Sequence, residues 1–439
     1  MAQSPAWIAT ARLLRRAGFG TTGAQVDAVV AQGAPAYLDG ALDLDPDADP
    51  GAIATPMPAP VMPQQVRPGA TATEMNDYAQ QLFSQMNDLQ SWWLRRMAAV
   101  HQPIHEKLTL LWHNHFATSA DKVGGAQYMA AQNQKLRTLK LGDFRTLAYA
   151  MLTDVAMQLW LDGVRNTKAA PNENLSREFM ELFTLGHANG YTEVDVKEGA
   201  RALTGRVVGY TGQTAISDEL HDSSTKTVLG VKGDLDEHDF CDIVLNQPTS
   251  APFVASSLWR LLASDDAPSP AALTRLVGAY GPGRDLKALT RAVLLDPEFA
   301  TCAGTLVNTP VEWLMGAIRS LSIPVDGAQS ASDLKLAQVL VVMGQRPFYP
   351  PDVGGWPRGS LWLSTTSVAA RVWAADKLVT TGDLSSIDEA AKGDRINATG
   401  YLIGIGKWSD RTVAALDPLA DDPRRLVAAA LNSPEYLVS

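Results

Sequence analysis

"TEMNDYAQQLFSQMNDLQSWWLRRMAAV", residues 73–100, decides the fold class. Apolar side chains recur at Met75, Tyr78, Leu82, Met86, Leu89, Trp93, Met97 and Val100. Steps of three and four place them on one face of a helix about seven turns long, a period no strand can share. Outward from it, Pro103 stops this helix and starts the next, over 104–117. The same period predicts helices over 127–139, 143–153, 174–186 and 193–205. Residues 5–42 read as two short helices punctuated by Gly18 and Gly20. Seven prolines between Asp43 and Pro68 forbid helix and sheet, so 43–72 is expected to be a mobile, extended loop.

Two stretches interrupt the helices. "RVVGYTGQTAISDELHDSSTKTVLG" (206–230) mixes β-branched residues with turn formers and predicts a small hairpin or irregular excursion over 207–230. "GQRPFYPPDVGGWPRGSLWLS" (344–364) predicts a second irregular region, a rigid lid or wall whose Trp356 and Trp362 serve as a stacking platform or as core anchors. Between them, Asp234 and Glu237 form a D-x-x-E capping box where helices resume. "LKALTRAVLLDPEFA" (286–300) and "RRLVAAALNSPEYLV" (424–438) echo one another: a helix, then acid or serine, Pro, Glu and an aromatic. The expectation is a mainly α protein, a large multi-helix globular bundle. It forms one domain over 1–439, divisible at most into a half 1–205 carrying the site and a half 206–439.

Composition narrows function. Hydrophobic residues are 46% and charged residues 19%, ample for a core, while a net charge of −10 repels phosphate backbones and argues against nucleic acid as a partner. Cys241 and Cys302 are the sole cysteines, too few for a disulfide framework or cysteine-rich metal cluster. No apolar run nears the roughly 18 residues of a membrane span. The start "MAQSPAWIATARLLRRAGFG" lacks the basic-then-apolar order of a secretion signal, and no compact apolar segment follows Arg15–Arg16. A cytoplasmic location is expected of the chain as given, with an exported form as the alternative. A phosphate-binding loop, a dinucleotide fingerprint and a G-x-S-x-G elbow are all absent from the sequence.

Two elements carry candidate chemistry. In "LWHNHFATSADK" (111–122), His115 shares the apolar face of Leu108, Leu111 and Trp112, while His113 points about 200° away. Such an i, i+2 pair cannot grip one metal from a regular helix, so the helix ends near Asn114 or the two have different jobs. His101 and His105 have better spacing, but Pro103 lies between them. In "PNENLSREFMELFTLG" (171–186), Asn174, Arg177, Glu178 and Glu181 form a polar stripe opposite Leu175, Phe179, Leu182 and Phe183. Glu178 and Glu181, at i and i+3, are close enough to share a cation or raise one another's pKa; the plain alternative is a solvated face with an Arg177–Glu181 pair. "HDSSTKTVLG" (221–230) adds His221, Asp222 and Lys226 at a turn.

With "LLRRAGFG", "EKLTLLWHNHFATS", "PNENLSREFMELFTLG", "YTEVDVKEGARALTG", "HDSSTKTVLG", "PPDVGGWPRG" and the terminal "SPEY" in this order, the chain resembles, over nearly its whole length, the bacterial family called domain of unknown function 1800. That resemblance implies no assigned activity. Family members are often larger, many look exported, and they commonly accompany a sulfatase-like protein. The matched blocks hold Glu106, His113, Asn114, His115, Asn172, Glu173, Asn174, Arg177, Glu178, Glu181, Arg201, His221, Asp222 and Lys226, more polar groups than packing requires.

The leading expectation is an enzyme with a metal-dependent or acid/base site between helices, for hydrolysis or group transfer on a saccharide or peptide. Glu178, Glu181, Arg177, His221, Asp222 and Lys226 would be catalytic, and His113, His115, Glu173 and Glu178 would bind a divalent metal such as Zn, Mn or Fe. A haem or redox protein with His113 or His115 as axial ligand is the second expectation. The third is a non-catalytic scaffold or partner of a sulfatase-like protein.

Overall fold

The computed structural model describes residues 3–64, 66–209, 212–302, 304–325 and 336–438. The prediction over 43–72 thus excludes Gln65, and the hairpin prediction excludes Tyr210 and Thr211. The fold is mainly α, with two small two-stranded sheets among the described residues.

The N-terminal helices are α1 (Pro5–Ala17), α2 (Gly23–Gln32), α3 (Ala34–Asp43), α4 (Pro50–Ala54), α5 (Ala72–Ala99) and α6 (Ile104–His115). Three helices, not two, fill 5–42, because Gly33 takes a left-handed φ of 89° and breaks the run between α2 and α3. Helix α4 lies inside the proline-rich stretch expected to exclude helix. Pro50 stands at its first position, where its missing N–H costs nothing, and the Asp49 carboxylate caps Gly51 N (2.8 Å). The same carboxylate accepts from His101 N (3.0 Å) and Gln102 N (2.9 Å), tying α4 to the end of α5. Helix α5 starts at a Thr71/Glu74 capping box; its buried residues begin at Met86, while its N-terminal half leaves Met75 and Phe83 exposed.

Helices α7 (Ala120–Val123), α8 (Ala126–Leu139), α9 (Phe144–Leu152) and α10 (Val155–Trp160) lead to α11 (Asn174–Glu178), which runs straight into a π turn, Phe179–Thr184. Helix α12 (Glu193–Ala202) begins at the predicted Thr192/Asp195 box. Two antiparallel hairpins follow, β1 (Arg206–Val208) with β2 (Thr214–Ile216), and β3 (Lys226–Val228) with β4 (Val231–Gly233). Helices α13 (Glu237–Leu245), α14 (Ser250–Leu262), α15 (Pro270–Tyr280), α16 (Leu286–Leu295) and α17 (Pro310–Ser320) come next. The box before α13 is Asp236/Asp239 rather than Asp234/Glu237, since Asp234 is drawn to Lys226 instead.

Helix α6 is the axle. Every residue from Ile104 to His113 is buried, as expected of a helix packed on all sides. Leu108, Leu111 and Trp112 join one apolar cluster with α1, α9 and α14; Leu110 joins a second with α5, α17 and the helix Thr365–Thr381. The charges that α6 carries inward are paired. Glu106 accepts from Arg96 Nε (3.0 Å), Trp93 Nε1 (2.8 Å) and Arg137 Nε and Nη2 (2.9 and 2.8 Å), and Lys107 pairs with Glu312 of α17.

The echoed segments perform one structural job twice. Glu298 receives Ser269 N (3.0 Å), the cap of α15, and Glu435 receives Ser409 N (2.9 Å), the cap of helix Asp410–Leu416. The aromatic that follows each glutamate lies under an arginine of α1: Arg12 over Phe299 at 4.6 Å, Arg15 over Tyr436 at 5.7 Å. Helix α1 is thus clasped from both sides by the same device.

Candidate functional site

The π turn positions the acidic stripe. Leu185 N donates to the Met180 carbonyl (2.9 Å), an i to i+5 span, and Thr184 Oγ1 donates to Phe179 O (2.5 Å). The wider turn departs from the regular wheel expected over 174–186, and such turns recur at functional sites. Gly186, at φ 95°, ends the segment.

Around this turn the acids divide. Arg177 holds Glu173 (2.9 Å) and Glu193 (2.7 Å), so it does not pair with Glu181. Glu181 accepts from Tyr191 Oη (3.5 Å), and its other oxygen meets His187 Nδ1 at 2.5 Å. Glu178 has no hydrogen bond or ion pair to any described residue. Half-buried beside Glu181, its carboxyl is pushed above the usual range, first by burial and then by the neighbouring charge. His187, Tyr191 and Glu193 were missed in the sequence, although "GHANGYTE" immediately follows the stripe.

His115 lies beneath the turn. Its Nε2 meets the Phe183 carbonyl at 2.9 Å, and its ring packs against Trp112, Phe116, Phe183 and Phe253. Burial lowers its pKa to about 4. It turns toward the segment that carries the carboxylates, but contacts its backbone rather than Glu178. His113 faces the other way, 1% exposed among Trp93, Phe348 and Trp356, with ring centroids 5.4–5.5 Å away. Neither of its nitrogens has a hydrogen-bond partner, and burial lowers its pKa to about 3.

The lid closes on the same motif. Asn114 Oδ1 accepts Trp356 N (2.7 Å), and Gly355, at φ 86°, lies so close that an added Cβ would stand 2.4 Å from that oxygen. Phe348 holds φ 70°, costly for a bulky residue, while its carbonyl accepts Ala120 N (2.9 Å). Trp356 and Trp362 are 3% and 2% exposed, which makes them core anchors rather than a sugar platform.

The hairpin residues form a separate cluster. Asp222 takes Arg201 Nε (2.7 Å), and with Ser224 also bound the carboxyl is held far below its usual range in spite of partial burial. His221 Nδ1 meets Thr204 O at 2.9 Å. Lys226, fully buried, donates to the carbonyls of Asp222 and Ser224 and to Asp234 Oδ1 (3.1 Å). Asn172 N bonds Asn166 Oδ1 (2.9 Å), and the Asn172 side chain caps Asn174 N (3.0 Å). These residues brace the β3 hairpin against α12.

His113, His115, Glu173 and Glu178 are not brought together as one donor set. Among the described residues no three His, Cys, Asp or Glu side chains gather as a metal site would require. No helix of the described residues is long and apolar enough to cross a membrane. Residues 12–438 match a family model described as "protein of unknown function (DUF1800)". No curated protein and no solved structure matches the chain.

Proposed function

The chain belongs to the DUF1800 family, and we propose that it is an acid/base enzyme in which Glu178 moves the proton. One observation carries this reading. Of the carboxylates in the motifs, Glu106 and Asp222 are held low and Glu173 is paired, while Glu178 alone is half-buried, unpartnered and shifted upward. A carboxyl whose burial and charged neighbour favour its protonated form donates to a leaving oxygen or nitrogen as water or another nucleophile adds. Glu181, oriented by His187 and Tyr191, is placed to receive the proton of that incoming nucleophile. The substrate class is a saccharide or peptide linkage, whose cleavage needs leaving-group protonation. A metal or haem version would require His113 or His115 to leave its aromatic packing.

The test is a carboxyl-resolved NMR titration of Glu178, joined to a screen of aryl glycosides and chromogenic peptides with wild type, Glu178→Gln and Glu173→Gln. Titration of Glu178 above the usual value of about 4.3, with turnover lost only in Glu178→Gln, is expected. An ordinary titration, or turnover indifferent to Glu178, overturns the reading.

A second reading is a scaffold that docks on a sulfatase-like protein. The closed hydrogen-bond networks of Glu106, Arg201 and Lys226 favour it, since they use family residues for bracing. Stoichiometric co-purification with such a partner, in wild type and Glu178→Gln alike, would put it ahead.

A further inference from the structure

Helix α1 separates two clefts, and Ile8 and Arg12 line both. The cleft on the Tyr436 side encloses about 610 Å³, within the range of small-molecule sites. Its walls are apolar at Ile8, Ala11, Ile405 and Val438, and cationic at Arg12, Arg15 and Lys407. Arg12 is the telling residue. It is 8% exposed, yet its Nε and Nη2 have no hydrogen-bond partner. A buried guanidinium whose Nε–H and Nη2–H lack acceptors loses hydration that its stacking on Phe299 repays only in part, and burial accordingly drives its pKa down.

The surroundings supply only a weak acceptor: the Cys302 sulfur lies beside the guanidinium and already donates its own hydrogen to Glu298 O (3.2 Å). Arg15 gives its Nη2 to Tyr436 O (2.9 Å). Glu435, the acid in the lining, is spent on Ser409 N (2.9 Å) and Thr412 Oγ1 (2.9 Å). Positive charge is therefore in excess where the donors are free.

We propose that this cleft binds an organic carboxylate with an apolar body. The planar carboxylate matches the Arg12 fork, which presents paired donors, and the apolar walls take the body. Lys407, exposed at the rim, adds attraction without being needed for folding. The site is separate from the Glu178 turn and stands whether or not that turn is catalytic.

Calorimetry on the full chain with octanoate, octanol and inorganic phosphate tests it. Saturable octanoate binding is expected, weakened at least tenfold by Arg12→Gln and severalfold by Lys407→Glu, with no binding of octanol or phosphate. If Arg12→Gln does not fold, Lys407→Glu alone decides. Absence of octanoate binding, binding that neither variant weakens, or phosphate binding as tightly as octanoate would each overturn the proposal.

Discussion

Glu106 and Glu178 carry the same carboxyl group, and their neighbours push it in opposite directions. At Glu106 burial raises the pKa, but Arg137, Arg96 and Trp93 outweigh it and hold the group at about 2. Its folded pKa lies below the unfolded 4.5, so the stability it contributes is complete above 4.5 and is lost as pH falls toward 2. Glu106→Gln leaves two buried guanidinium groups facing a neutral amide and should cost about 3 kcal/mol in urea denaturation at pH 7; a loss under about 1 kcal/mol would show the network to be worth no more than a surface pair. The buried histidines act at higher pH. His105 and His115 titrate near 4 and His113 near 3, against 6.5 when unfolded. The unfolded chain takes up their protons first, so stability is full above 6.5 and declines as pH drops through 6 and 5. His113→Phe removes one such proton and two unsatisfied nitrogens from an aromatic cage. It should flatten the decline between pH 6.5 and 5 and stabilise the protein by about 1 kcal/mol at pH 7. An unchanged slope would mean that His113 is hydrated or partnered in solution.

At the level of elements, the 3.6-residue period located α5, α6 and α8 to within a few residues, because an amphipathic stripe is written in the spacing of apolar side chains. The π turn was not legible: "EFMELFTLG" has a regular apolar stripe, and only the Leu185 N bond to Met180 O and the Thr184 bond to Phe179 O reveal the wider turn. The fates of Glu178 and Arg177 depend on that geometry and on Glu193, a residue of the next helix. Thr184→Val should cost about 1 kcal/mol and move the Glu178 titration, measurable by the same carboxyl NMR; a normal Glu178 shift in that variant would separate the turn from the acid. The lid offers a sharper test. Gly355→Ala meets both a left-handed φ and the Asn114 oxygen, so it should destabilise by about 2 kcal/mol and quench-shift the Trp356 emission, whereas Gly354→Ala, with φ outside the left-handed region, should be far milder.

Across the whole molecule, the two apolar clusters are joined at α6, and the Lys107–Glu312 pair is the charged rivet between them. Glu312→Gln should therefore lower the stability of both clusters together, by about 3 kcal/mol, and Lys107→Met with Glu312→Leu should recover most of the loss; recovery in neither near- nor far-ultraviolet melts would show that the pair is irreplaceable in shape. The helical class, one hairpin or irregular excursion over 207–230 and the repeated D/S-P-E-aromatic ending were visible in the sequence, whereas the second hairpin, reaching Gly233, was not. What the repeat is for was not, since nothing local connects Phe299 and Tyr436 to Arg12 and Arg15. That clasp also bears on synthesis. Arg15 leaves the ribosome long before its acceptor, the Tyr436 carbonyl, which lies 421 positions later. Until Tyr436 emerges, the arginines of α1 have only one of their two aromatic seats, so the second half of the clasp closes only after that long intervening stretch has been made, and the helix stays partly solvated until then.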